Sequence, residues 1–209
     1  MILTSESFID KGAIPGRCAF AVPDAATRIK LSDNRNPHFA WKDLPAGTKS
    51  LALVCRDGDV PSKGDDVNQP DRPVPADLPR VDFFHWLLVD LKPEAGPIRE
   101  GEFSSGVTAG GKNGPAGARG TRHGINDYTA WFAADKDMAG DYFGYDGPCP
   151  PWNDTLVHRY EFTLYALDVE ACPVEGAFRG PDLLRAIEGH VLGSAKITGT
   201  YSLNPAVKA

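Results

Sequence analysis

Four stretches of this sequence are long enough for a strand, too short for a typical helix, and built from strand formers. Residues 50–56 read Ser-Leu-Ala-Leu-Val-Cys-Arg, and residues 83–91 read Phe-Phe-His-Trp-Leu-Leu-Val-Asp-Leu. Residues 159–168 and 195–203 interleave aromatic or aliphatic positions with polar ones. Such side chains fit a pleated, half-buried surface better than a helix face. One helix is well marked: Gly180-Pro181-Asp182 opens it, Leu183, Leu184, Ala186 and Ile187 give it an apolar face, and Gly189 ends it. A second short helix is expected near residues 75–78.

Between these runs the chain is punctuated by 22 glycines and 18 prolines without low complexity. That predicts many short elements and shaped loops. Two stretches read as long loops: polar residues 62–82, and glycine-rich residues 101–127 with Lys112, Arg119, Arg122 and His123. Neither is a domain linker, because strands on both sides are needed for one core. The expectation is a single domain over 1–209, mainly β, an antiparallel β-sandwich with long loops and a short helix near its C-terminus.

A net charge of −6 and the lack of any Lys/Arg-rich block argue against general nucleic-acid binding. No run approaches the ~20 apolar residues that span a bilayer. Residues 1–11 contain Glu6 and Asp10 and no apolar run, so no secretory leader is expected and a cytoplasmic location is. Cys18, Cys55, Cys149 and Cys172 form no C-x-x-C pair and are expected as free, mostly buried thiols.

Alternation along a strand places every second residue on one face. By that rule Leu51, Leu53, Cys55 and Asp57 share a face. So do His85, Leu87, Val89 and Leu91, and likewise His158, Tyr160, Phe162 and Leu164. Each apolar stripe carries a polar residue at its end, and convergence of those ends would set Asp57, His85, His158 and Tyr160 on one rim. Asp57-Gly58-Asp59-Val60-Pro61 reads as a strand entering a rigid turn. Prolines 148, 150 and 151 fix a wall that can point the Gly147 amide at an anion.

The segments Asp57-Gly-Asp-Val-Pro61, Phe84-His-Trp86, Gly147-Pro-Cys-Pro-Pro151 and His158-Arg-Tyr160, in that order, resemble the successive signatures of the phosphatidylethanolamine-binding protein family. They are most similar to its bacterial, Raf-kinase-inhibitor-like branch. Flanks such as Pro45-Ala-Gly-Thr-Lys-Ser-Leu-Ala-Leu53, Gly124-Ile-Asn-Asp-Tyr128 and Tyr165-Ala-Leu-Asp168 agree, so the likeness runs from about residue 3 to 203. It implies a β-sandwich with a small pocket for phosphate-like or carboxylate anions, phospholipid head groups included. The pocket residues it implies are Asp57, Asp59, Pro61, His85, Gly147, Pro148, His158 and Tyr160. It also implies a homodimer and modulation of a protein partner such as a kinase, or of another phosphoprotein. Where the family commonly has Asp-Pro-Asp, this chain has Asp57-Gly58-Asp59, and glycine relaxes that segment.

The chemistry expected of such a pocket follows from the residue types. His85 and His158, when protonated, would donate to the anion, Asp57 would orient an imidazole, and Asp59 would fix the turn. Anion binding should then weaken as pH rises past the imidazole pKa values. No catalytic residue, cofactor or metal is expected, and the chain is read as a binding protein. The alternative is a hydrolase or metal-dependent enzyme using the same histidines and aspartates. Neither H-E-x-x-H nor G-x-S-x-G is present to support it. Gly106–Lys112 imitates a P-loop, but Asn113 replaces the Ser/Thr that would hold magnesium. Asn153-Asp154-Thr155 matches a glycosylation sequon, which carries no meaning in a bacterial cytoplasm.

Overall fold

Residues 51–55 are apolar at every position, and the reason lies in where they sit. A computed structural model describes residues 1–207. In it β5 (Ser50–Pro61) is the middle strand of a five-stranded sheet with β6 (Arg80–Leu91), β7 (Arg122–His123), β8 (His158–Leu167) and β9 (Val191–Tyr201), in the order β7-β6-β5-β8-β9. Every pairing between these strands is antiparallel. Leu51, Leu53 and Cys55 enter one core, and Ala52 and Val54 enter another on the opposite face. A strand buried on both faces has no polar side to show, so alternation disappears from its sequence.

The two faces are covered differently. Over the first lie two short ribbons, β1 (Ile2–Thr4) with β4 (Ala40–Lys42) and β2 (Ala21–Asp24) with β3 (Arg28–Leu31), plus aromatic loop residues such as Phe8, Phe20 and Phe39. Over the second lie Cys172, Val174 and Phe178 and the helix α2 (Gly180–Ala186), which docks Leu183 and Ile187. The helix marked in the sequence is thus present, with Pro181 in its first turn and Gly189 at φ +83° beyond its end. The architecture is a mainly β, antiparallel sandwich whose outer layers are short ribbons and a helix. Among the described residues no helix is long and apolar enough to cross a membrane, and all four cysteines are free thiols.

Residues 75–78 form a turn closed by the Leu78 amide on Pro75 O, not a helix, because Pro75 and Pro79 leave too few amides to propagate one. The strands are longer than their apolar runs: β5 continues through Asp57 and Gly58 to Pro61, and β6 begins at Arg80. The supposed turn after Asp57 is instead a bulge, since residues 57 to 60 of β5 oppose only 83 to 81 of β6.

Cys55 pairs with Trp86 but the next residue, Arg56, pairs with Phe84, so His85 is an extra residue bulged out of the ladder. The bulge resets the alternation. Trp86 and Leu88 face the first core, while Phe84, Leu87 and Val89 face the second. His85 therefore does not share a face with Leu87 and Val89. Leu91 is returned to the first core by a second irregularity beside Asp90, whose φ is +65°.

Candidate functional site

Asp57 stands opposite Phe83 of β6 and Tyr160 of β8, near the end of the first core. It is 1% exposed, and both its oxygens are engaged. Oδ1 accepts the Asp59 amide at 2.8 Å, and Oδ2 lies 2.7 Å from Nδ1 of His158. His158 is fully buried, and its Nε2 lies 3.0 Å from Oδ2 of Asp154. Arg80 then closes on Asp154 with Nη1 at 2.6 Å and Nη2 at 3.2 Å. The result is a buried row of alternating sign, Asp57, His158, Asp154, Arg80.

The row decides the state of His158. Burial opposes its charge, but Asp57 and Asp154 together outweigh that and hold its pKa up at about 9. Each ring nitrogen faces a carboxylate, so each carries a proton and donates it within the protein. His158 thus has no N–H left for a ligand, contrary to the donor role expected of it. Asp154, the partner that makes the difference, carried no signal except its position four residues before His158. On the same side, Asp59 accepts from the Arg159 amide at 2.9 Å and from its guanidinium Nη2 at 2.6 Å. Burial opposes the Asp59 charge most strongly, yet Arg159 holds its pKa below the usual carboxylate range. Asp59 pins β5 to β8 and stands outside the cavity.

His85 is set differently. Its Nδ1 lies 2.8 Å from the carbonyl oxygen of Asp146. A carbonyl only accepts, so Nδ1 carries the hydrogen and Nε2 keeps its lone pair. Burial, against the pull of Asp57, Asp127 and Asp146, lowers the pKa and keeps the ring neutral. The Asp146 side chain holds this geometry from behind. It accepts Nδ2 of Asn34 at 2.7 Å and Nδ2 of Asn126 at 2.8 Å, and pairs with Nζ of Lys112 at 2.9 Å. The Asp146 amide also donates to His85 O at 3.1 Å, so strand β6 and residues 145–147 are tied in both directions.

Above these groups opens a cavity of about 450 Å³. Its floor is Asp57, His85, His158 and Tyr160. The Tyr160 hydroxyl is buried beside the Asp57 carboxylate, which raises its pKa, but it meets hydrogen-bond geometry with no group. Burial, with Asp57 adding to it, keeps that hydroxyl protonated. The walls are apolar: Ile29 and Leu31 of the β2–β3 ribbon, Val60, Phe83, and Trp131 and Phe132 at the end of α1 (Tyr128–Trp131). Cys149, Pro150 and Pro151 complete one side, with burial pushing the Cys149 thiol up to about 12. Residues 62–68 form the roof, where Lys63 is the lining cation.

One side chain holds that roof in place. Nδ2 of Asn153 donates to the carbonyls of Asp66, Gln69 and Arg72 at 2.8, 3.1 and 2.8 Å. Its Oδ1 accepts the Asn68 amide at 2.9 Å. The sequon asparagine is 7% exposed and committed to this clamp.

Of the eight residues expected at the site, Asp57, Pro61, His85, His158 and Tyr160 line the cavity. Asp59, Gly147 and Pro148 stand behind it. The Gly147 amide donates to Oδ1 of Asn34 at 2.8 Å and so points at no ligand. Glycine is needed there for another reason: a Cβ would sit 2.1 Å from Cys18 O. Pro148 O accepts the amides of Phe20 and Ala21, which anchors the β2–β3 ribbon. The apolar wall was missed because it is assembled from a four-residue helix and a short ribbon, neither long enough to show periodicity. Among the described residues, no group of three or more His, Cys, Asp or Glu side chains is arranged to hold a metal ion.

This geometry has relatives. The model of the phosphatidylethanolamine-binding protein family matches residues 4–202. The chain belongs to that family. A UPF0098 protein of Methanothermobacter thermautotrophicus is 32% identical over 201 residues, covering 96% of this chain and 98% of that protein. The UPF0098 protein YbhB of Escherichia coli is 33% identical over 170 residues, covering 81% of this chain and 83% of its own. Among solved structures, a putative phosphatidylethanolamine-binding protein homolog, CT736 of Chlamydia trachomatis, superposes with a TM-score of 0.63 at 26% identity, covering 96% and 95%. Escherichia coli YbcL gives a TM-score of 0.65 at 21% identity and supports the fold alone. Where the family commonly has proline, Gly58 sits in the β5 bulge with only Asp82 Oδ1, at 3.6 Å, near the place a Cβ would take. Its smallness is not forced by packing.

Proposed function

We propose that this phosphatidylethanolamine-binding-family protein holds a small amphiphile, with an acidic head on the Asp57–His85–Tyr160 floor and an apolar tail along the Trp131–Phe132 wall. The head is phosphate-like or carboxylate, and the floor binds it without turning it over. The observation that carries the reading is the Tyr160 hydroxyl: a protonated donor on a residue 1% exposed, in hydrogen-bond geometry with no group, on a polar floor beneath apolar walls. A buried polar group without a partner costs about 1–3 kcal/mol, which a ligand oxygen would relieve. Apolar walls around few convergent polar groups are the usual form of a small-molecule site.

The cavity gives the tail its share. Each methylene removed from water contributes ~0.8 kcal/mol, so a six-carbon tail outweighs a single neutral hydrogen bond. A hydrolase reading finds less support. His158 is locked between two carboxylates, and the lining serine, Ser62, lies exposed in the roof rather than beside an imidazole. The protein partner and the homodimer that the family likeness implies are not required by this reading.

Calorimetry with hexyl phosphate, methyl phosphate and hexanol tests it. Hexyl phosphate is expected to bind more tightly than either fragment, and Tyr160→Phe to weaken it about tenfold. Equal affinity for hexanol and hexyl phosphate would show that the floor contributes nothing.

A further inference from the structure

The floor offers more acceptors than donors, and that bears on the form in which an acid enters. Asp57 from β5 presents a carboxylate whose oxygens already accept from His158 and the Asp59 amide. His85 from β6 presents the lone pair of Nε2, because its Nδ1 hydrogen is given to Asp146 O. Tyr160 from β8 supplies one hydroxyl. The positive charge of the floor, His158, donates both N–H groups to Asp57 and Asp154. The other groups facing this region change little. Tyr128 from α1 donates its hydroxyl to Gly147 O, and Asp127 at the start of that helix accepts the Phe84 amide. Asp146 is saturated by Asn34, Asn126 and Lys112. In the wall, Gly147 has donated its amide and three of the next four residues are prolines, so Cys149 alone has another amide hydrogen to offer. Lys63 belongs to the exposed roof.

Resting on the binding reading above, we infer that the site takes its acid singly protonated: an acid O–H of the ligand donates to Nε2 of His85, while another ligand oxygen accepts from Tyr160. A fully ionised head would set oxygen lone pairs against the His85 lone pair and the Asp57 carboxylate. A phosphate monoester monoanion has both kinds of oxygen. It loses the donating proton near its second pKa of about 6. The monoanion of a phosphate monoester is therefore the preferred form, and a sulfate ester of the same shape and single charge, which has no acid proton, is rejected. A site built to hydrogen-bond an O–H discriminates strongly against an analogue without it. Burial holds the His85 pKa below the usual imidazole range, so the ring stays an acceptor where the phosphate is a monoanion.

The test uses the intact protein, with hexyl phosphate and hexyl sulfate followed by calorimetry from pH 5 to 8.5. At pH 5 hexyl phosphate is expected to bind at least about tenfold more tightly than hexyl sulfate. Above the second pKa of the phosphate its apparent affinity should fall about tenfold per pH unit. At pH 8, titrations in buffers of different ionisation enthalpy should show about one proton taken up per ligand bound. Equal binding of the two esters at pH 5, or tighter phosphate binding as the dianion accumulates, overturns the inference and leaves the binding reading standing. Failure of both esters to bind at every pH overturns the binding reading and this inference with it.

Discussion

Oδ2 of Asp154 lies 3.0 Å from Nε2 of His158, and the opposite nitrogen of the same ring lies 2.7 Å from Asp57. Asp154 is therefore as much a part of the floor as Asp57, although it touches no cavity space. Replacing Asp154 by Asn removes one of the two charges that keep His158 protonated and leaves Arg80 with carbonyl partners but no ion pair. Breaking a buried charge row in this way is expected to cost about 3–5 kcal/mol. Urea denaturation measures the loss, and an NMR titration of His158 should show its pKa shifted down from about 9. An unchanged His158 pKa in that variant would mean that Asp57 alone controls the ring.

Stability should depend on pH with a maximum near 6.5. His158 is raised from 6.5 to about 9 on folding. Its contribution is complete below pH ~6.5 and is lost as pH rises through about 9, a change on the order of 3 kcal/mol. His85 and His123 act in the other direction. Burial lowers both, His123 to about 4 with Lys112 adding to it. The unfolded imidazoles take up protons that the folded ones refuse, so stability falls as pH drops below ~6.5. Denaturant midpoints measured from pH 5 to 9.5 check the profile. A His158→Asn variant should lose the alkaline limb and keep the acid one.

Tyr160→Phe separates stability from binding. The hydroxyl meets hydrogen-bond geometry with no group of the protein, so its removal should leave the melting temperature unchanged or slightly raised. Affinity for hexyl phosphate should drop by about 1–2 kcal/mol. A clear loss of thermal stability would show that the hydroxyl is bonded to Asp57 in solution.

Asn153→Ala should loosen the roof and spare the sheet. Four hydrogen bonds go at once, and about 2–3 kcal/mol of stability with them, since three carbonyls lose their shared donor. Amide exchange should accelerate over residues 64–74 and remain slow in β5 and β8. Uniform acceleration across the molecule would contradict a local clamp.

Trp131→Ala tests the wall. Trp131 is half exposed at the cavity's edge. Its loss should weaken hexyl phosphate by roughly 1 kcal/mol while leaving methyl phosphate unaffected.

The sequence reached the sheet through its apolar runs and the floor through strand ends, but not for the same reason at each residue. Asp57, His158 and Tyr160 fall where period-2 alternation puts them, because β5 and β8 run in unbroken register from Ser50–Leu167 to Asp57–Tyr160. His85 arrives by the bulge that alternation cannot anticipate; a single extra residue moves it from the face of Leu87 to that of Trp86. Hydrogen-bond commitments were not legible at all. That Gly147 donates to Asn34, or that Asp154 claims His158, depends on residues 113 and four positions away, brought together only by the fold. Trp131 and Leu31 gave no signal because isolated apolar residues in short elements read as ordinary surface.

The clamp on the roof also bears on which positions of this chain tolerate substitution. Every partner of the Asn153 side chain is a backbone atom: the carbonyls of Asp66, Gln69 and Arg72 and the amide of Asn68. The clamp itself therefore does not read the side chains at 66, 69 and 72, whereas position 68 is constrained by its φ of +58° and by its Oδ1, which accepts the Trp152 amide at 3.1 Å. The residue after Asn153, Asp154, holds the charge row of the floor. One peptide unit thus separates a loop anchored through its backbone from a row of buried charges whose side chains cannot be exchanged, so the cavity's roof and its floor answer to different constraints.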